Sequence, residues 1–360
     1  MGQIASSHDH SAGGKMPGAR ESKLDWRRWL FWLVLLAFVW LVASHLAEIE
    51  KLAQTMLRAS WQFIVVAALL QAVYYLLYSA LYQSAFTSVE LESRLFDLLP
   101  VVLASLFINV IAPFGGMAGI ALFADDAALR GRSPARVAAG MLLVTLIFFI
   151  AFSIILVLGL SYLFLLKHLK QYQVLTAVIL LFGTLLLGAL LLLAHRQPRL
   201  LATLLGAVQQ TINWSTSWFK RQSPLSSNWA TRNTTEFTAA ARAIGQHPWS
   251  LGFALLIALI AHLTSMSSLY AIFLAFHHSI TFPVLVAGYS MGILFAIVSP
   301  TPQGIGIVEG VMPAVFRSLR VRGRTAIFAS LTFRGLTFWI PLAIGFFLLR
   351  QIRSFRSRKC

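Results

Sequence analysis

The sequence predicts an all-α fold: a polytopic transmembrane helical bundle with two broken or re-entrant segments. Of 360 residues, 58% are hydrophobic and only 11% are charged, whereas a soluble domain is about 45–50% apolar and about 25% charged. Long runs without any charged residue recur along the chain, and clusters of proline and glycine interrupt two of them. This composition excludes a water-soluble enzyme and a disordered chain. A disulfide scaffold is excluded as well, because Cys360 is the single cysteine.

The uncharged runs predict the spans in chain order. They cover residues 30–47, 61–86, 98–124, 137–166, 171–195 and 243–308. About 20 helical residues cross a hydrocarbon core of about 30 Å. Helix is expected because backbone polar groups in lipid must be satisfied within the segment. The runs therefore predict about seven to ten helical segments.

The polar stretches between these runs predict the domain organisation. Residues 1–28 are expected to be a disordered tail, residues 29–353 the membrane domain, and residues 354–360 a basic tail. A polar loop, residues 197–248, divides the membrane domain into halves at 29–196 and 249–353. Within this loop, apolar residues at helical spacing predict an amphipathic helix in the membrane interface: Leu201, Leu204, Leu205, Val208 and Ile212.

The charge distribution predicts the location of the chain. The net charge of +17 would suggest nucleic acid as partner of a soluble protein. Here the basic residues cluster between apolar runs, which is typical of cytoplasmic loops, so nucleic acid is excluded. We expect a multi-pass protein of the cell inner (plasma) membrane with cytoplasmic termini and central loop. A cluster at Arg317, Arg320, Arg322 and Arg324 conflicts with this orientation, because only one span separates it from the basic C-terminal tail; either it lies on the unexpected side or it lies at an interface.

The first interruption follows Asn109. Proline removes a backbone donor and glycine lowers helix stability by about 1 kcal/mol, so a helix should break at Pro113, Gly115 and Gly116. Asp125, Asp126 and Arg130 come next in the chain; they are either part of a site or simply the cytoplasmic end of a helix.

The second interruption lies near the end of the longest uncharged run. It contains Pro300, Pro302, Gly304 and Gly306, and it is followed by Glu309. A charge within a span is costly and usually faces a cavity or a partner. Arg334, inside the last apolar stretch, is the predicted counter-ion.

One interruption in each half of a membrane protein is typical of a transporter's substrate site. A new helix beginning after each break would offer N–H groups and partial positive charge to an anion such as a lipid phosphate. Two alternatives stay open: the breaks are structural kinks, and Glu309 and Arg334 form a purely structural pair. His262 is expected to be a hydrogen-bonded core residue, and Tyr74, Tyr75, Tyr78 and Tyr82 to be packing or interfacial belt residues.

These motifs resemble the lysylphosphatidylglycerol synthase transmembrane-region family, also called flippase-like domain proteins. Asn109, Pro113, Gly115 and Gly116 look like its first signature, and Pro300-x-Pro302-x-Gly304-x-Gly306-x-x-Glu309 like its second. Arg334 before Phe338, Trp339 and Gly345 fits its last span. The chain departs from the family at Gln303, where glycine is common, and it has no arginine in residues 117–122. The resemblance implies a flippase-like module without the aminoacyltransferase domain; some relatives belong to hopanoid or polyprenyl-linked sugar pathways.

The functional expectation is translocation or binding of a polar-headed lipid, anionic or isoprenoid-linked, across the cytoplasmic membrane. The expected substrate-binding residues are Asn109, Pro113, Gly115, Gly116, Pro300, Pro302, Gly304, Gly306, Glu309 and Arg334. No catalytic constellation, metal-ligand cluster or cofactor motif is visible, so no cofactor or metal is expected, and whether the protein is an enzyme stays open. The alternatives are a membrane-embedded transferase acting on a lipid carrier, with Asp125 and Asp126 as its acids, and a non-transporting accessory subunit with a membrane enzyme partner.

Overall fold

The computed structural model describes residues 59–91, 93–111, 133–167, 169–217 and 248–349, together with residues 119, 122, 123, 230, 231, 234, 235, 238, 239, 241 and 242. The chain divides into two compact units, residues 1–57 and residues 58–360, and every described residue lies in the second. The expected tails at 1–28 and 354–360 and the expected span at 30–47 lie outside the described residues.

The described part of the chain is helical and contains no strand. Its helices, in chain order, are α1 (Trp61–Ser88), α2 (Leu95–Ile111), α3 (Pro134–Leu165), α4 (Gln171–Arg196), α5 (Pro198–Ser217), α6 (Pro248–Ala275), α7 (Phe282–Val298), α8 (Ile307–Ser318), α9 (Gly323–Arg334) and α10 (Ile340–Leu349). A 3₁₀ turn (Pro302–Gly304) lies between α7 and α8, and a π-helical turn (Gly335–Trp339) joins α9 to α10.

Five of these helical segments are long and apolar enough to cross a membrane. They are α1, α3, α4, α6 from Trp249 onward, and the continuous stretch Gly323–Leu349 that α9, the π-helical turn and α10 form together. Two shorter apolar helices, Leu95–Val110 and Phe282–Val298, accompany them. The predicted polytopic α-helical fold is confirmed.

The long antiparallel pair of α1 and α6 defines the two ends of the bundle. The Ser60 N–H donates to the Ala275 carbonyl at 2.9 Å, and the Ser88 and Ser250 hydroxyls lie 2.8 Å apart. We call these levels the Ala275 end and the Ser250 end. Helix α3 begins at the Ser250 end, where Arg136 forms an exposed ion pair with Glu90 at 3.0 Å.

Helices α7 and α8 form an antiparallel hairpin. A side chain at Gly288 would overlap the Phe316 ring, and one at Gly292 would lie 3.1 Å from the Met312 sulfur. These close approaches need glycine, because the ring and the thioether occupy the space that a methyl group would take. Helix α8 therefore returns to the end from which α7 starts, the Ala275 end.

Helix α2 lies antiparallel to α10. The Phe107 and Phe346 rings are 5.2 Å apart, and Gly345 packs directly on the Leu103 carbonyl group. Helix α1 ends at Ser88, at the Ser250 end, and α2 begins at Leu95. Helix α2 therefore enters the bundle from the Ser250 end, whereas α10 runs toward it. The C-terminal part of α2 is therefore directed toward the middle of the bundle.

The buried core contains large apolar side chains contributed by facing helices, including Phe152, Phe273, Tyr289 and Phe316. Many large apolar side chains on the outer faces are exposed instead, as on α4, where Leu185 is 72% exposed. That inside-and-outside distribution suits a bundle surrounded by acyl chains rather than by water.

The amphipathic helix predicted in the central loop is present as α5. Leu201 is buried against Ala194 and Ala241 on its inner side. Leu204 and Val208 are about half exposed, at 50% and 46%. Its position in the membrane interface stays a prediction.

The basic cluster that conflicts with the charge rule lies at the Ala275 end. Arg317, Arg320, Arg322 and Arg324 are all exposed at the turn from α8 to α9. With the predicted orientation, this cluster would lie on the outer side together with Lys167 and Lys170. The orientation stays a prediction, and the basic C-terminal tail lies outside the described residues.

Gly345→Ala is expected to destabilise the protein by about 1–3 kcal/mol, because the added methyl group would overlap the backbone of Leu103, which cannot rotate away. The measurement is thermal unfolding of the detergent-solubilised chain followed by tryptophan fluorescence. The matched control is Gly183→Ala on α4, where a methyl group meets no atom within 4 Å and helix propensity improves by about 1 kcal/mol. Equal midpoints for the two variants would contradict the packing of α2 on α10.

Candidate functional site

The helix break predicted in the second half is present between α7 and α8. Helix α7 ends at Val298, and the next regular helix begins at Ile307. Three residues of the connection have positive φ: Gln303 at 53°, Gly304 at 73° and Gly306 at 83°. Such backbone is left-handed and favours glycine, which explains two of the glycines of the motif. Gln303 shows that its position does not require glycine.

The connection satisfies part of its own backbone with nearby hydroxyl groups. The Thr301 hydroxyl donates to the Ile305 carbonyl at 2.9 Å, and the Ser299 hydroxyl accepts from the Thr301 N–H at 3.2 Å. Gly304 is buried so closely that a methyl group there would lie 2.9 Å from the Ala296 Cα and 2.5 Å from a Val308 methyl. The turn is therefore a compact structure packed on the end of α7.

Glu309 caps the beginning of α8. Its Oε2 accepts from the Gly306 N–H at 2.7 Å, three residues before it. A carboxylate in the first turn of a helix compensates unpaired N–H groups and the positive end of the helix dipole. Its second oxygen, Oε1, accepts from the Nε of Arg334 at 2.9 Å.

Arg334 connects the broken segment to the last span. It is buried, with 7% of its side chain exposed against 20% for Glu309. Its Nη2 donates to the Gln303 carbonyl at 3.0 Å, and its guanidinium stacks 4.5 Å from the centre of the Phe338 ring. The predicted Glu309–Arg334 pair is thus confirmed as an ion pair. We refer to Gln303, Gly306, Glu309 and Arg334 as the turn site.

The turn site lies near mid-depth of the last span. Arg334 is about midway along the 27-residue stretch Gly323–Leu349. The π-helical turn begins one residue later, and Tyr75 of α1 donates its hydroxyl proton to the Thr337 carbonyl there, at 2.7 Å. From the sequence, Tyr75 was expected to be only a packing or interfacial belt residue. The one feature that could have indicated a polar contact is the position of this tyrosine in the middle of an uncharged span.

Three glycines leave open space around the turn site. A methyl group added at Gly306, Gly310 or Gly335 would meet no atom of the described residues within 4 Å. Gly306 and Gly310 are also exposed, as are Pro300 and Pro302. The site is therefore accessible from one side, with the buried guanidinium behind the exposed turn.

The structure describes only part of the first predicted motif, the one that follows Asn109. The Gly119 N–H donates to the Asn109 Oδ1 at 2.7 Å. Ten residues of straight helix would separate these positions by about 15 Å, so Gly119 does not lie on a straight continuation of α2. Helix α2 also contacts the 3₁₀ turn Pro302–Gly304. Helix α2 and the break between α7 and α8 are thus neighbours in the fold.

The remaining predicted site residues of the first half lie outside the described residues. They are Pro113, Gly115, Gly116, Asp125, Asp126 and Arg130. Among the residues that the structure does describe, no group of three His, Cys, Asp or Glu side chains could hold a metal ion.

The turn site combines a fixed positive group, a fixed negative group and a helix N-terminus at the edge of open space. By helix geometry, the first N–H groups of α8 have no acceptor within their own helix. The two hydrogen bonds of Arg334 use two of the five N–H groups of a guanidinium. Such a site offers hydrogen-bond donors to an anionic oxygen.

Comparison with known proteins agrees with this membrane architecture. The chain is 22% identical over 325 residues to the UPF0104 membrane protein PH1989 of Pyrococcus horikoshii, covering 89% of this chain and 95% of that protein. The family described as lysylphosphatidylglycerol synthase TM region matches residues 29–345, which include all described helices except the last residues of α10. The match extends over most of the chain, and so this protein belongs to the lysylphosphatidylglycerol synthase TM region family.

Proposed function

We propose that this multi-pass membrane protein moves a polar-headed lipid between leaflets and that the lipid phosphate binds at the turn site. The observation that carries the proposal is the ion pair of the buried Arg334 with the partly exposed Glu309 at a helix break. A charged pair near the middle of a span is costly in an apolar surrounding, and a broken backbone there needs polar partners. A site for a polar ligand explains both.

The arrangement of the interrupted helices supports translocation rather than binding at one surface. Helix α2 enters from the Ser250 end, and the α7–α8 hairpin enters from the Ala275 end, with α2 contacting the turn of the hairpin. A headgroup at this junction would lie between two half-length elements of opposite direction, as in transporters with discontinuous helices. Re-entry of the hairpin into the membrane is part of this proposal.

The geometry of the site suggests how a phosphate would bind. The phosphate oxygens would accept from the first N–H groups of α8 and from the remaining N–H groups of Arg334. Glu309 would keep the guanidinium in place and limit the net positive charge, so that the anion is bound without being trapped. The acyl chains would extend over the exposed side, where Gly306 and Gly310 leave space.

The proposal also assigns the protein to a particular membrane and gives its orientation in that membrane. The charge pattern favours the cytoplasmic membrane with the Ser250 end facing the cytoplasm. The lipid itself is proposed only as a phosphate-bearing, polar-headed lipid, anionic or isoprenoid-linked. A membrane enzyme as partner stays a proposal as well.

The first test is transport by the reconstituted protein. Full-length protein in proteoliposomes should accelerate the exchange of an acyl-labelled fluorescent phospholipid between leaflets, measured by dithionite quenching of the outer leaflet. The double variant Glu309→Gln/Arg334→Met should lower this rate about tenfold or more, because a hydrogen bond to a charged group contributes about 1.5–3 kcal/mol. Its fold should persist, since replacing both members of a buried pair is often neutral.

Two control variants distinguish loss of the binding site from loss of stability. Glu309→Gln alone should lower the free energy of unfolding by about 3–5 kcal/mol, because it leaves the buried Arg334 charge without its counter-ion. Glu90→Gln removes the exposed ion pair with Arg136 and should change neither stability nor transport appreciably. A folded double variant that transports lipid like wild type would refute the role of the pair.

A second test fills the open space beside the turn site. Gly310→Leu should fold normally, since its Cβ would meet no atom of the described residues within 4 Å and leucine favours helix over glycine by about 1 kcal/mol. Transport should nevertheless fall severalfold, because the leucine would occupy the space proposed for the lipid. Gly252→Leu on α6, also in open space, is the matched control and should transport like wild type. Equal rates for both variants would place the lipid elsewhere.

A further inference from the structure

Gln71, near the middle of α1, is a buried amide that lacks hydrogen-bond partners. It is 3% exposed. Neither its Oε1 nor its Nε2 has a hydrogen-bond partner among the described residues. An amide away from water without a partner carries a substantial free-energy cost. In a span, leucine would occupy this position without that cost, so the glutamine needs an explanation other than stability.

Gln71 is connected through Tyr75 to the helical segment that carries Arg334. It is one helical turn before Tyr75, on the same face of α1, and its amide approaches the Tyr75 hydroxyl. That hydroxyl already donates its proton to the Thr337 carbonyl at 2.7 Å, and its contact with Gln71 does not have hydrogen-bond geometry. Thr337 follows Arg334 by three residues, and Tyr75 is near enough to Arg334 for an electrostatic interaction.

The surroundings of Gln71 are fixed by neighbouring contacts. One turn earlier, the Ala67 carbonyl accepts from the Ser268 hydroxyl at 2.8 Å, which holds α1 against α6. On the other side, the Tyr74 and Tyr78 rings stack with centres 5.9 Å apart. His262, at the same depth of α6, has its Nδ1 within 2.9 Å of the Tyr289 hydroxyl, as predicted for a hydrogen-bonded core histidine. Its Nε2 has no hydrogen-bond partner among the described residues. The Gln71 amide is thus held in a rigid setting.

The chemistry of the amide selects among headgroups. Its Nε2 needs an acceptor and its Oε1 needs a donor. A hydroxyl group supplies both, an ammonium supplies only donors, and an alkyl headgroup supplies neither. Glu309 offsets the charge of Arg334, and the remaining N–H groups of Arg334 are assigned to the phosphate. A charged group beyond the phosphate would therefore find no counter-charge in this pair.

We infer that Gln71 is a specificity-determining residue that binds a hydroxyl of an uncharged, hydroxyl-bearing headgroup. The inference rests on the proposed function for the location of the phosphate at the turn site. With the phosphate bound there, the headgroup beyond it extends past Tyr75 to the Gln71 amide. Tyr75, held by Thr337, separates the phosphate position from the hydroxyl position.

The test is binding to two lipids that differ only in hydroxyl groups. Full-length protein in detergent is titrated with dioleoyl phosphatidylglycerol and with dioleoyl phosphatidylpropanol, which has the same charge and the same three-carbon headgroup without hydroxyls. The shift of the thermal unfolding midpoint reports binding. Wild type should bind phosphatidylglycerol about tenfold more tightly, the worth of one or two hydrogen bonds. Gln71→Leu should lose this preference and keep or raise the midpoint measured without lipid.

Two further variants separate the role of Gln71 from a general effect on α1. Gln83→Leu changes the same residue type on the same helix, but the Gln83 amide donates to the Ser93 carbonyl at 3.1 Å. This variant should lower the midpoint without lipid and retain the preference for phosphatidylglycerol. If the Gln71→Leu variant does not fold, the measurement is repeated with Gln71→Met, because methionine is unbranched and close in volume to glutamine.

Each other result would overturn the inference. A Gln71 variant that keeps the preference shows that the amide binds only water. Equal binding of the two lipids by wild type, or no binding of either, excludes a hydroxyl-binding site. Phosphatidylethanolamine bound as tightly as phosphatidylglycerol would favour an ammonium over a hydroxyl. Because the test measures binding alone, a preference without leaflet exchange in proteoliposomes would refute translocation and leave the inference on Gln71 standing.

Discussion

The structure depends on one electrostatic constraint, which is the pairing of Glu309 with Arg334 inside an apolar bundle. Neither charge could be buried alone without a large desolvation cost. Together they are 2.9 Å apart and use further partners, since Glu309 also binds the Gly306 N–H and Arg334 also binds the Gln303 carbonyl. The pair therefore fastens the beginning of α8 and the turn before it to the middle of the last span.

The backbone around this pair follows from the need to satisfy polar groups where water is absent. The break between α7 and α8 exposes carbonyl and N–H groups, and the structure supplies partners for several of them from Thr301, Ser299, Glu309 and Arg334. The π-helical turn after Arg334 is connected to α1 through Tyr75. These contacts use side chains from separate parts of the sequence, so the site forms only when α1, α8 and α9 are packed together.

Sequence patterns predicted the fold and the location of this site for clear physical reasons. Uncharged runs of sufficient length identify spanning helices, and the proline and glycine cluster at 300–306 predicts where helix must stop. A single acid and a single arginine in otherwise apolar stretches predicted their own pairing. The hydrogen bond of Tyr75 to Thr337 was not predictable, because it depends on how α1 packs against a residue 262 positions later. The α7–α8 hairpin and the packing of α2 on α10 likewise depend on tertiary contacts, such as Phe316 at Gly288 and Leu103 at Gly345.

The energetics of buried ion pairs favour a functional over a purely structural role for the pair. A well-packed apolar pair of similar volume is often as stabilising as a buried ion pair or more so, and in a span its insertion would also cost less. Stability alone therefore does not account for Glu309 and Arg334. The same reasoning applies to Gln71, whose amide has no partner among the described residues, and to Gly306 and Gly310, which leave unfilled space beside the pair. Charge, an unpartnered amide and open space occur in adjoining parts of one bundle, and a polar ligand would satisfy all three.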